Sequence, residues 1–441
     1  MSKPEKTAPP TLLFHSYRAL TAMLLPFAYR KVAAKLAAEG IPRLRQRERL
    51  GRASQPRPAL APGAALIWFH GASVGESQAA LTLINRLRPQ LPKARFLLTS
   101  GTATSAVMAA KRLPEGCQHQ FAPLDSGRAV RRFLDHWRPD AGIFVESELW
   151  PVTLASAKAR GTRLALVNAR LSARSVASWR KKLPTARFIL GLFDLLLAQN
   201  PAVAQDLVSL GGNADRVFPS GNLKAAAAAL PQDTALVAEM RAALSGRPVW
   251  IASSTHKGEE EIILAAHRAL LRDHPDLCLL LAPRHPARAA EVRDKITKAG
   301  LTFAQRSSAA PLARETQVYL ADTLGELGSW YALSEIVFLG GSLLPIGGHN
   351  PFEVAQAKAA VLTGPGYSNF SETFPPLIAA GGAVEVADAD SLAAAVDHWL
   401  TQPEVLHAAR DAAGDYLAAQ SGQLDQVVTR LITGLNLGDP A

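Results

Sequence analysis

The stretch SEIVFLGGSLLPIGGHNPFEVAQAKAAVLTGPGYSNFSETF, residues 334–374, decides how this chain is read. An apolar run, Glu335 to Leu339, leads into Gly340-Gly341-Ser342. A second glycine pair, Gly347-Gly348, precedes His349-Asn350-Pro351, and a helical pattern follows with Glu353 in its first turn. A strand, a glycine turn and a helix start are the parts of a nucleotide-phosphate site. Glycines let the backbone approach a ligand, and free N–H groups at a helix start point at an anion. Glu353 is placed to accept hydrogen bonds from ribose hydroxyls. The same residues also admit a purely local reading. Asn350 suits the N-cap, Pro351 the first helical position, and Glu353 completes a variant of the capping box. Spacing alone leaves both readings open.

Outward from this stretch, short apolar runs alternate with helical patterns. Candidate strands in the first half are Ala65–Phe69, Arg95–Ser100, Gly142–Val145, Leu164–Asn168 and Leu195–Gln199, with helical patterns such as Glu76 to Leu87 between them. The passage GNLKAAAAALPQDTALVAEMRAALSGRP, residues 221–248, reads as a connection between domains. A second series follows: Val249–Ser253, Leu277–Ala282, Ile336–Gly340, Ala360–Thr363 and Ala383–Val386. Such alternation is the signature of parallel βα units. At 441 residues the chain exceeds one ordinary core. The fold expected is α/β, with two doubly wound Rossmann-like domains. Ligands in such sheets lie at the carboxyl ends of strands, and a cleft between domains is a common active-site location. No GxGxxG fingerprint follows the first strand, and no short repeat is present.

The composition, 48% hydrophobic and 19% charged, is that of a globular protein. The net charge of +11 is concentrated at one end. Residues 1–60 hold twelve Lys and Arg against three Asp and Glu, a net +9, which leaves +2 for the rest of the chain. Between Arg18 and Arg30 lie eleven uncharged residues, Pro26 among them. A spanning helix needs about 20 apolar residues, and no small-residue cleavage site ends a clean apolar core. The expectation is therefore a basic amphipathic arm at an anionic membrane surface. Arg30, Lys31, Lys35, Arg43, Arg45, Arg47 and Arg49 would each add roughly 1 kcal/mol of attraction. Nucleic acid is the weaker partner class, because apolar residues interleave with the charges and no nucleic-acid module follows. Cys117 and Cys278 stand apart, outside any CxxC pair. They imply neither a disulfide framework nor a zinc site, and fit a reducing compartment.

Polar clusters sit where candidate strands end. The first strand runs into His70-Gly71-Ala72-Ser73-Val74-Gly75-Glu76, which places Glu76 as a general base or as an acid steadied by the helix dipole. The third candidate strand runs into Glu146-Ser147-Glu148. In an extended segment these two acids share a face, so that one raises the other's pKa. Otherwise one is solvated and the other caps. Val249–Ser253 runs into Ser254-Thr255-His256, whose hydroxyls and N–H groups suit a phosphate or an N-cap. Leu277–Ala282 runs into Pro283-Arg284-His285, where Arg284 meets an anion or solvent.

Taken together and in order, these clusters resemble the 3-deoxy-D-manno-octulosonic acid (Kdo) transferase family of lipopolysaccharide synthesis. The matching segments are FHGASVGE (69–76), ESELWP (146–151), LVNARLSARS (166–175), SGNLK (220–224), SSTHKGEEE (253–261), APRHPAR (282–288) and GGSLLPIGGHNPFE (340–353). YRALTAMLLPFAYR and RQRERLGR in the arm match as well, so the resemblance spans roughly residues 17–375. Ser147 stands where threonine is expected, and Ala252-Ser253 where glycine is common.

The resemblance implies a GT-B glycosyltransferase. Its parts would be a membrane-associated arm (1–60), an acceptor-binding domain (61–222), a CMP-Kdo-binding domain (223–414) and a C-terminal helix returning to the first domain (415–441). It implies an inverting transfer of Kdo from CMP-Kdo to the lipid A precursor lipid IVA at the cytoplasmic face of the inner membrane. Glu76 would be the base, assisted by Glu146 and Glu148. Ser73, Gly75, Asn168 and Arg170 would hold the acceptor. Ser254, Thr255, His256, Arg284, His285, Gly341, Ser342, Gly347, Gly348, His349, Asn350 and Glu353 would hold the donor. No metal and no other cofactor is demanded, because CMP is a good leaving group among fixed positive dipoles. A sugar-nucleotide epimerase on the same fold would leave the basic arm unexplained. A non-catalytic membrane-bound scaffold would leave the intact acidic motifs unexplained.

Overall fold

The computed structural model of the chain describes residues 8–221, 223, 229–309 and 311–438. Asn222 and Lys224 of the SGNLK segment, and residues 224–228 of the expected connection, lie outside the described residues. The chain divides into two units, Met1–Ala227 with Gln420–Ala441, and Ala228–Ala419.

The first unit is built on seven parallel strands: β1 Leu66–His70, β2 Arg95–Ser100, β3 Cys117–Phe121, β4 Ala141–Val145, β5 Arg163–Ala169, β6 Leu195–Ala198 and β7 Val217–Pro219. Their order is β3-β2-β1-β4-β5-β6-β7. The second unit repeats the plan with β8 Val249–Thr255, β9 Cys278–Pro283, β10 Phe303–Gln305, β11 Val318–Leu320, β12 Ile336–Leu339, β13 Ala360–Thr363 and β14 Ala383–Glu385, in the order β10-β11-β9-β8-β12-β13-β14. The central strands are apolar because helices cover both faces, as parallel sheets require. β1 and β4 are buried at every position. Connections part to opposite sides between β1 and β4 in the first sheet and between β8 and β12 in the second, where β11 is also inserted between β9 and β10, and such reversals open a crevice at the strands' carboxyl ends.

Four strands escaped the sequence reading. β3 is the polar run CQHQF at a sheet edge, and β7, β10 and β11 are three residues each, too short for a pattern. The acidic pair Glu146/Glu148 therefore follows the fourth strand, not the third. The long helix Pro403–Gly434 serves both cores. Leu406, Ala409 and Ala413 pack in the second unit, and Leu424, Val427, Val428 and Leu431 pack in the first beside Ile67 and Phe69.

The basic N-terminal region has two parts. The helix Leu12–Ala38 buries only Phe14 and Leu36, near its two ends. Phe14 stacks edge-on against Phe188, and Leu36 packs on Ala103, Ala106 and Phe121. Its middle leaves Leu20, Met23, Leu24 and Phe27 exposed. No described helix is long and apolar enough to cross a membrane.

The turns at residues 43–50 are docked on the first unit, which corrects the expectation that every arginine there faces an anionic surface. Arg45 Nε donates to Glu48 at 3.2 Å, and its Nη2 meets His119 Nδ1 at 2.6 Å. Arg49 Nη1 donates to the Ala122 carbonyl at 2.6 Å. Glu48 has no exposure, and its carboxylate also accepts from the Ser54 hydroxyl and the Phe121 N–H.

Glu48→Ala strands the Phe121 amide and removes the ion pair of Arg45, so it should cost roughly 2–4 kcal/mol of stability. Urea unfolding followed by tryptophan fluorescence measures it, and a change within error would mean the segment is not anchored by this carboxylate.

Candidate functional site

Each unit presents a polar cluster where its strand order reverses. In the first unit β1 ends at His70, and the helix Val74–Leu87 starts after a tight turn. Gly71 has to be glycine, because a Cβ there would lie 2.7 Å from the Glu76 backbone. Ser73 is the N-cap: its Oγ accepts from the Glu76 N–H at 3.3 Å and donates to Glu76 Oε1 at 2.7 Å. Glu76 Oε2 accepts from the Ala72 N–H at 2.7 Å. This reciprocal cap is written in the sequence as Ser-x-x-Glu. Gly75 has open space where a side chain would be.

The Glu76 carboxyl is held above the usual carboxylate range. Burial raises it most, and the charges of Glu148 and Glu146 add to the rise, against the bonds from Ser73 and Ala72. Burial would lift Glu148 too, but its bond to His70, the charge there and the Trp150 indole N–H outweigh that and hold it low. The raised acid is thus Glu76, while Glu148 is held low. Nor is the 146–148 segment extended: Glu146 has φ 62° and the Leu149 N–H turns back onto the Ser147 carbonyl.

The sequence reading missed His70. Only 3% exposed, it lies between Thr99 Oγ1 at 2.9 Å and Glu148 Oε2 at 3.3 Å, and thereby fixes the acid. Its place at the last position of β1 was the available signal. Asn168 is buried, with φ 52°, and its Oδ1 accepts from the Leu223 N–H at 3.2 Å. It therefore holds the chain near residue 223 rather than presenting its amide at the surface. Arg170 borders a narrow apolar slot together with Leu166 and Leu190. Beside that slot opens a pocket of about 620 Å³, lined by Phe14, Tyr17, Glu148, Trp150, Trp179 and Lys182 among others.

In the second unit the loops after β8 and β12 are tied by one buried side chain. Glu259 has no exposure, and its carboxylate accepts four backbone N–H groups. These come from His256 at 2.8 Å, Gly341 at 2.7 Å, Ser342 at 2.9 Å and Leu343 at 2.9 Å. Several assigned donor contacts are corrected by this arrangement. The amides of Gly341 and Ser342 are taken by Glu259. The Ser342 hydroxyl donates to the Leu339 carbonyl and accepts from the Gly364 N–H. The Gly347 and Gly348 amides donate to the Gly366 and Gly341 carbonyls. Thr255 is buried, and its hydroxyl donates to Glu260, which Arg288 grips through two bonds of 2.7 and 3.1 Å.

The groups left facing outward are Ser254, Arg284 and three histidines. Ser254 has φ 55°, where β8 breaks register with β9. His256 and His349 meet Nε2 to Nε2 at 3.0 Å with their rings nearly parallel, and His285 stands edge-on to His256. Both readings of Asn350 and Glu353 survive. Asn350 Oδ1 caps the Phe352 N–H at 3.2 Å, its Nδ2 donates to Glu353 Oε1 at 3.3 Å, and Glu353 remains partly exposed.

Comparison with known proteins agrees with the resemblance seen in the sequence. The profile of the family described as 3-deoxy-D-manno-octulosonic-acid transferase matches residues 44–227. The chain is 34% identical to a probable 3-deoxy-D-manno-octulosonic acid transferase, mitochondrial, of Arabidopsis thaliana, over 96% of both chains. It is 35% identical to the 3-deoxy-D-manno-octulosonic acid transferase of Haemophilus influenzae, over 88% of this chain and 92% of that one. Among solved structures, a UDP-GlcNAc 2-epimerase from Neisseria meningitidis bound to UDP-GlcNAc aligns with a TM-score of 0.59 at 13% identity, over 84% of this chain and all of that one. A glycosyltransferase from Rickettsia africae aligns at 0.58 and 12% identity, over 84% of this chain and 99% of that one. Identities that low show the fold alone, which is GT-B. The two relatives aligned over most of both lengths show more: the chain belongs to the Kdo transferase family of glycosyltransferases, which act in lipopolysaccharide biosynthesis.

Proposed function

We propose that this transferase moves Kdo from CMP-Kdo to lipid IVA with inversion, and that Glu76 takes the proton of the acceptor hydroxyl. The observation that carries the reading is Glu76 itself. It stands at the carboxyl end of β1, at the sheet's reversal point, fixed by Ser73 and Ala72 and held above the usual carboxylate range. A base works best when its pKa lies near the working pH. Glu148, locked by His70 and Trp150, stays ionised and keeps Glu76 basic.

The pocket beside Glu148 suits an amphiphilic acceptor. Trp150 and Trp179 offer flat apolar faces, and Arg174 and Lys182 offer charge for an anionic group. In the second unit Arg284, His256, His285 and His349 suit the anionic donor, and Glu353 suits the ribose. The exposed Leu20, Met23, Leu24 and Phe27, with Arg18, Arg30, Lys31 and Lys35 on the same helix, suit the cytoplasmic face of the inner membrane.

The direct test gives the detergent-solubilised protein CMP-Kdo with and without lipid IVA, reading CMP release and product mass together. Acceptor-dependent release with a mass gain of one or more Kdo units is expected. Release that ignores the acceptor, or none, rejects the donor–acceptor assignment.

Glu76→Gln should lower kcat by about 10²–10⁴ while leaving CMP affinity unchanged. In the unaltered enzyme activity falls as the pH drops through the raised Glu76 value, because the protonated acid takes no proton. Glu148→Gln removes one charge that raises Glu76, so the acid limb of the kcat/KM profile should move to lower pH. A limb that stays in place would dismiss Glu148 from this role.

Met23→Asp with Phe27→Asp should weaken binding to anionic vesicles by tenfold or more, since each buried apolar side chain is worth roughly 1.5–3 kcal/mol. Vesicle co-sedimentation measures this, and unchanged binding would remove the helix from the membrane contact.

A further inference from the structure

His256 follows β8 and His349 precedes the helix Pro351–Gln356. Their Nε2 atoms are 3.0 Å apart. At that distance one nitrogen carries a proton and the other offers a lone pair, so the two rings share a single N–H. The rings lie 12° from parallel with centroids 5.3 Å apart, and His285 meets His256 edge-on at 5.7 Å. Gly341 makes room for them. Its φ is +68°, and a Cβ there would lie 3.0 Å from His349 Cδ2 and 3.4 Å from His256 Cδ2.

The charged surroundings are one-sided. His285, Arg284 and Arg288, from the segment after β9, bear on His256, and His285 and Arg284 bear on His349. Glu259 alone opposes them at His256, and its carboxylate is already occupied by four amides. Burial first, then His256, Arg284 and His285, pulls His349 down to about 4. Burial likewise lowers His256, with Glu259 working against it. These effects favour the uncharged pair at neutral pH. A phosphate placed among these groups reverses the balance, since an adjacent anion favours the protonated imidazole.

We propose that the His256–His349 pair takes up one proton when the phosphate of a nucleotide donor binds, and that the resulting shared cation faces the phosphate oxygen on which charge grows during transfer. This rests on the donor reading given above. In the transfer the bond between the sugar's anomeric carbon and the phosphate oxygen breaks, and its electron pair stays on the phosphate. The acceptor oxygen bonds to that carbon and gives its proton to Glu76. The phosphate passes from one negative charge to two, and the proton held by the pair offsets the second. It returns to solvent as the nucleotide leaves.

The test is calorimetry of CMP binding to the full-length, detergent-solubilised protein near neutral pH, in buffers of low and high ionisation enthalpy. Uptake of about one proton is expected, with CMP affinity rising by up to about tenfold per unit fall in pH. His349→Gln and His256→Gln should each still bind CMP and lose most of the uptake. Binding heats that do not depend on buffer in the unaltered protein overturn the proposal. So does uptake that persists in both variants, which would assign the proton to another group. Failure of CMP to bind at all overturns the donor reading, and the inference falls with it.

Discussion

The Glu259 carboxylate is the contact on which the candidate site of the second unit depends. A buried carboxylate is costly unless its lone pairs are filled. Here four backbone amides fill them, three from the loop after β12 and one from the loop after β8. Charge-assisted bonds of this kind are among the strongest a protein makes. They pin two loops together at the point where the strand order reverses. A concavity of successive N–H groups is elsewhere an anion site. In this chain the anion is internal, and the glycine turn shapes the site without presenting its amides to a ligand. What faces outward is the rim: Ser254, Arg284 and the histidines.

Much of the fold was legible because central strands of a parallel sheet are continuously apolar. Leu277–Ala282, Ile336–Gly340 and Ala360–Thr363 announce themselves in this way. β3 did not, because an edge strand with polar residues looks like a loop. The placement of the candidate site's polar clusters was legible for a related reason. Parallel strands put their carboxyl ends on one side, so polar clusters that follow apolar runs gather along one edge of the sheet. The partners were not legible. Nothing local says that Glu259 reaches Gly341, Ser342 and Leu343, or that Thr255 turns inward to Glu260. Such pairings are set by loops distant in sequence. The same holds for Arg45 and Arg49, which look like surface charge until His119 of β3 and the Ala122 carbonyl just after it are seen to be their partners.

At Glu76 a helix cap and a raised acid are the same side chain. Glu76 completes the cap of its helix and, through burial and two neighbouring acids, is held above the usual carboxylate range. The cap is what fixes the carboxylate in place. Backbone strain marks the same edge: Glu146, Asn168 and Ser254 adopt left-handed φ values just beyond β4, near the end of β5 and within β8. For residues other than glycine such conformations are sparsely populated, and they persist where the surrounding structure imposes them.

The helix Pro403–Gly434 carries a consequence for synthesis on the ribosome. Domains ordinarily fold as they emerge, the N-terminal one first. The first unit cannot finish in that order. Leu424, Val427, Val428 and Leu431 pack beside Ile67 and Phe69 of β1, so its core waits until residues 424–431 are translated. Until then it exposes an apolar face. The second unit, whose strands lie between Val249 and Glu385, is already translated by that time. The unit made first is the one completed last.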